Sequence, residues 1–241
     1  MSGTENSARM LLKPPPDIYG SVLAIGGGSP TREGPPVAKV GGFWSEPNLG
    51  LSYLLAARHV IEKGSVEHRL NEVALPVAYL QRHAYEVALK GVLEASYRLK
   101  TDEAWLQLLK ADPRAERPTQ TKVPPQHRFD ELLKLLAGAL AEINYGGVPS
   151  EVQEMSKRLG QVEDFEPTRL RYLTLRSGAQ SFPQSVLLHV GETQEQLEAV
   201  FENVFVYKDV AGANENLVTS LAYEGMAMDQ ALLKFVSIDE L

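Results

Sequence analysis

In the stretch YLQRHAYEVALKGVL, residues 79–93, four ionisable side chains run through an otherwise apolar segment of helical character. At about 100° per residue, Arg82, His83, Glu86 and Lys90 share one helix face with Tyr79, all within about 60° of it. Val77, Leu80, Ala84 and Val87 border that face on one side, and Ala78, Tyr85, Leu89 and Val92 on the other. A polar stripe between two apolar flanks is not turned wholly to solvent, so part of it is buried and its charges need partners. The i, i+4 pairs Arg82 with Glu86 and Glu86 with Lys90 supply them.

Two functions fit such a stripe. In the first, Arg82, Glu86 and Lys90 form a structural ion network that fixes how the helix packs within the chain or against a second copy, with His83 as a satisfied partner. In the second, His83 acts as a general acid/base while Arg82 or Lys90 stabilises developing negative charge, as phosphodiester cleavage requires. Spacing suits both, because structural networks and active sites both gather charges.

The rest of the chain narrows the class. Its 241 residues, 44% hydrophobic and 23% charged, suit one substantial core or a main domain with an appendage. No apolar run approaches the roughly 20 residues that span a bilayer, and MSGTENSARM lacks the basic start and apolar stretch of a signal peptide. A cytoplasmic protein without membrane association is expected. The absence of cysteine excludes disulfides, thiolate zinc sites and cysteine nucleophiles. A net charge of -7 argues against a surface that grips nucleic acid phosphates throughout, leaving room only for a local basic groove.

Residues 1–47 form a Pro/Gly-rich N-terminal segment, with PPP at 14–16, GGG at 26–28, PP at 35–36 and GG at 41–42. It is punctuated too often for long helices, with at most a short strand at 21–25. IGGGSPTREG, residues 25–34, lacks the GxxxxGK[ST] spacing of a phosphate loop and reads as a surface turn. From Asn48, a plausible cap, apolar spacing predicts a helix through about Lys63. A second is expected over 66–100, kinked or restarted at Pro76. A third opens at the cap-like Thr101-Asp102-Glu103-Ala104 and runs to Lys110. A loop follows at 112–126, then an amphipathic helix at 127–143 and another at 150–159. Alternation over 168–175 and the apolar run 185–190 predict a two-stranded hairpin at about 168–190, turning at Ser177-Gly178. Helices at 192–210 and 215–236 close the chain. The fold class is therefore mainly α: a helical bundle over 48–241 with a small β-hairpin insertion.

Other constellations are weaker. His127 and Asp130 open a helix, and Asp130 with Glu131 suits the positive end of its dipole. Joined to His83 and Glu86 they would make a nitrogen and oxygen metal site, but no short ligand spacing supports it. No metal and no cofactor is expected. Lys157, Arg158, Arg169, Arg171 and Arg176, interleaved with Phe165 and Tyr172, are the basic concentration that an RNA strand would use. Glu163, Asp164 and Glu166 balance them, which favours a solvated face. No G-x-S-x-G elbow marks a nucleophile.

PVAYLQRHAYEVALK, residues 76–90, resembles the central helix of HEPN-like bacterial proteins, roughly P-x-x-Y-L-x-R-H-x-x-E-L-x-L-K. Phe43-Trp44 and Ala56-Ala57 upstream resemble their aromatic pair and small-residue helix. Downstream, His127 and Asp130 in QHRFDELLKLL, and Arg169-Leu170-Arg171-Tyr172 before Ser177-Gly178, resemble their later motifs in the same order. The resemblance covers about residues 44–183. It implies an all-α bundle that dimerises through helices and serves in prokaryotic defence or toxin–antitoxin systems alongside a protein partner. Ribonuclease members of that family cut RNA without metal, using an Arg-x4-6-His motif completed across two subunits. None of His59, His68, His83, His127 and His189 has an Arg five to seven positions earlier, and Tyr85 completes only an H-x-Y fragment.

The resulting expectation is a homodimeric HEPN-like interaction or defence protein without the usual ribonuclease motif, leaning against an enzyme. One alternative is an unorthodox metal-independent endoribonuclease using His83 and Arg82, with His127 in support. Another is a nucleotide or small-anion binding module, with its anion against Arg82, Lys90 and Arg171. Tyr79, Glu86, Lys90, His127, Asp130, Arg171 and Tyr172 stand as polar-network or ligand-binding residues.

Overall fold

A computed structural model of the protein describes residues 49–162, 169–172, 175, 177–206 and 216–236. The Pro/Gly-rich segment 1–47, with the stretches at 21–25 and 25–34, lies outside them. Among the described residues the chain is mainly helical: α1 (Leu49–Val66), α2 (Leu70–Ala111), α3 (Phe129–Glu142), α4 (Ser150–Val162), α5 (Val190–Val200) and α6 (Leu217–Leu232). A π-helical turn, Phe201–Phe205, extends α5.

The spine is α2, 42 residues in one piece and about 63 Å long at 1.5 Å per residue. The sequence suggested two interruptions, and neither ends the helix. Pro76 sits in the second turn on an exposed flank with Glu72, so the carbonyl left without an amide partner faces solvent. Thr101, read as a cap, instead turns its hydroxyl back to the Tyr97 carbonyl at 2.8 Å. Asp102 pairs with Arg98 and with Arg117 from the following loop. The real break comes earlier, between α1 and α2, where His68 adopts a left-handed φ of 57° and the Arg69 amide reaches back to the Gly64 carbonyl at 2.8 Å. For that reason the second helix starts at Leu70 and not near Val66.

Along its length α2 packs on α1, α3, α5 and α6, and α3 packs in turn on α4. The main core gathers Leu54, Tyr85, Leu89, Leu132, Leu136, Leu140, Val152, Leu197 and Phe201 from five helices and the π turn. Tyr85, fully buried, donates to the Val152 carbonyl at 2.5 Å and meets Ser156 Oγ at 3.0 Å, which ties α4 to the spine. α3 ends as apolar patterning predicts, with Asn144 at a left-handed φ of 58° and the Tyr145 amide bonded to the Leu140 carbonyl.

The expected hairpin is not seen as strands among the described residues. Its turn is present: the Gly178 amide bonds to the Leu175 carbonyl, the Leu175 amide to the Ala179 carbonyl, and Gly178 has a φ of 84°. Residues 168, 173, 174 and 176 lie outside the description. Residues 185–189 carry no strand. Val186 and Leu187 are exposed, and Leu188 packs with Phe182 on a second small core of Ala57, Val77, Ala78, Leu170 and Val190.

Candidate functional site

The stripe on α2 grades from core to rim. Arg82 is 0% exposed and Glu86 2%, while Tyr79, His83 and Lys90 are half-buried. Arg82 Nη1 donates to Glu86 Oε2, and Arg82 Nη2 donates to the His127 carbonyl at 2.5 Å. Its guanidinium also lies 4.9 Å from the Phe129 ring centroid. The buried cation therefore fastens the start of α3 to the spine. Glu86 is shared three ways: Arg82 on one oxygen, and on the other Lys90 Nζ at 2.6 Å and His127 Nδ1 at 2.7 Å. A carboxylate only accepts, so the neutral His127 ring carries its proton on Nδ1 and donates it to Glu86.

His83 points elsewhere. It stacks on Tyr79, with centroids 5.6 Å apart, and meets Tyr53 edge-on at 4.6 Å. Its buried Nδ1 has no hydrogen-bond partner among the described residues. Burial first, then the positive charges of Arg171, Arg82, Lys90 and His127, hold its pKa below the usual imidazole value. His127 is lowered in the same way by burial, then Lys90, Arg82 and Arg171, which together outweigh a Glu86 already shared. Burial, Arg82 and Arg171 also lower Lys90. Arg82 and Lys90 thus share one carboxylate, Arg171 adds positive charge beside them, and both imidazoles are held toward the neutral form.

The remaining sequence candidates divide. Arg171 joins the cluster, with its guanidinium 5.2 Å from the Tyr79 centroid. Tyr172 is beside it and 59% exposed. Asp130 does not join: it is exposed in the first turn of α3 and paired with Arg128 at 2.8 Å. That contact holds its carboxyl below the usual range. Of the basic concentration, Arg158 pairs with Glu192 at 3.0 Å. Arg169 lies over Phe182 at 5.9 Å, and residues 163–168 and 176 fall outside the description. No group of three His, Asp or Glu side chains that could hold a metal ion occurs among the described residues. None of the described helices is long and apolar enough to cross a membrane.

Two buried polar sets escaped sequence reasoning. Gln81 donates to the Val190 carbonyl at 2.8 Å and to Gln194, which reaches the Leu54 carbonyl at 2.9 Å, so amides join α1, α2 and α5. The available signal was a lone amide on the apolar flank that holds Ala78, Tyr85 and Leu89. At the far end of α2, Asp102 and Asp229 share Arg98, and Arg117 caps Asp102 from above the Trp105 ring. Asp229 is raised by burial. Only tertiary contact brings that set together.

No family model, no curated protein and no solved structure matches this chain.

Proposed function

We propose that the chain is a HEPN-like interaction protein of the defence-associated kind, working as a homodimer with a protein partner, in which the stripe on α2 is architecture and not a ribonuclease centre. One observation carries this reading. Arg82, the cation that such a centre would pair with His83, is buried against Glu86 and the His127 carbonyl. A guanidinium so placed stabilises no charge on a substrate phosphate, whereas it does hold the loop before α3 on the spine.

A second reading, a metal-independent endoribonuclease, is favoured by the two imidazoles alone. Both His83 and His127 are held toward the neutral, proton-accepting form beside Lys90 and Arg171. The test is incubation of the purified protein and its His83→Ala variant with mixed RNA in EDTA, folding being checked by circular dichroism and mass by light scattering. The proposal expects intact RNA in both tubes and a dimer mass. Cleavage by the parent that is lost in the variant would overturn it and make His83 catalytic.

A further inference from the structure

Among the described helices, α6 presents the least charge on its outer face. Its 16 residues carry two charged side chains, Glu224 and Asp229, and Asp229 is turned inward and buried beside Arg98. By contrast α4, at 13 residues, exposes Glu151, Glu154 and Lys157. At about 100° per residue, Ser220, Glu224, Gln230, Ala231 and Lys234 lie within about 60° of Ala227. The buried Leu221, Leu232 and Asp229 lie about 120–160° away from it. Glu224, Ala227, Gln230 and Lys234 are exposed, and Ser220 and Ala231 half-buried. A surface helix normally meets water with charge. This face meets it with small and uncharged side chains, framed by one acid and, about 15 Å along the axis, one base just past the helix end. No ion pair holds Glu224 or Lys234 among the described residues.

The face is complementary to itself. Laid antiparallel on the same face of a second copy, about a two-fold axis level with Asp229, Ala227 of each copy meets Ala231 of the other. Glu224 meets Lys234 in the same way, twice over. The small side chains let the helices approach closely. The charges fix the direction, since a parallel pairing in register would set acid on acid. We propose that α6 is the surface on which two copies of this chain associate, as an antiparallel pair with a Glu224–Lys234 contact at each end. The inference rests on the homodimer of the preceding reading and gives it a face outside the stripe on α2.

Light scattering after size exclusion tests this on the full chain, with helical circular dichroism as the check on folding. The parent is expected as a dimer, and Ala227→Arg, which puts a long cation at the crossing, as a monomer at concentrations where the parent is dimeric. Glu224→Lys alone should weaken association about tenfold or more, because it turns two attractions into two repulsions. Glu224→Lys combined with Lys234→Glu should restore the affinity of the parent. All three positions are exposed, so the variants keep their helical content. A monomeric parent would overturn the homodimer reading together with this face, leaving α6 to another partner. A dimer that survives Ala227→Arg, or a charge swap that associates as weakly as Glu224→Lys, would overturn this face and leave the homodimer reading standing.

Discussion

Arg82 donates to Glu86 and to the His127 carbonyl, and at 0% exposure it has no solvent to turn to. Glu86→Ala is therefore expected to lower unfolding stability by about 3–5 kcal/mol, because it removes the buried carboxylate that Arg82, Lys90 and His127 share. Chemical denaturation of parent and variant measures this, and a change within about 0.5 kcal/mol, the range of ordinary surface substitutions, would show that the network is not structural. The two imidazoles make a separate prediction. Native His83 and His127 titrate below the ordinary imidazole value of about 6.5, so between their native values and that one the unfolded chain binds more protons than the folded one. Stability should then be level above about pH 7 and fall as the pH drops through about 6, with a shallower fall in His83→Ala. Melting curves across that range read it out. Asp229, raised by burial, contributes with the opposite sign and at lower pH, as its native carboxyl keeps a proton that the unfolded chain releases near 3.8. At this scale the sequence was informative: one face, its apolar borders and its i, i+4 pairs were readable from spacing. The third partner of Glu86 was not, because His127 is 41 residues away along the chain.

The continuity of α2 is an outcome of packing over local punctuation. Residues around Thr101 look like a helix start in isolation, yet Leu99, Trp105, Leu106 and Leu109 continue the same buried face, and burying that face outweighs a cap. The close approach of α1 and α2 gives a test. A Cβ on Gly50 would stand 3.0 Å from the Ala84 carbonyl oxygen and 3.1 Å from the Phe201 ring. Gly50→Ala gains up to about 1 kcal/mol in helix propensity but overpacks a helix contact, at about 1–3 kcal/mol. The backbone oxygen cannot turn aside, so a net loss in melting temperature is expected; a gain would mean that α1 can shift away from α2. Strand expectation failed at 185–189 for a related reason. Its apolar residues divide between solvent, at Val186 and Leu187, and the small core at Leu188, and alternation does not reveal whether a partner strand exists.

Across the whole molecule, the buried polar networks around Glu86 and around Asp102 stand about 24 Å apart along the α2 axis at 1.5 Å per residue. Each straps an end of the 112–128 loop to the bundle, one through the His127 carbonyl and one through Arg117. Sites that far apart with no shared partner are energetically independent. The double variant Glu86→Ala with Arg117→Ala should thus lose the sum of the two single losses to within about 0.5 kcal/mol in a single cooperative transition. A deficit larger than that would mean that the loop couples its two ends. By itself the sequence determined the helical character, the amphipathic α3 and the paired stripe, since these follow from residue periods of a few positions and from local charge spacing. Only the tertiary structure decided that α2 is one rod, that Asp130 stands apart from the stripe, and that Arg171 meets Tyr79. Those outcomes depend on contacts between residues tens of positions apart, whose free energies no local pattern contains.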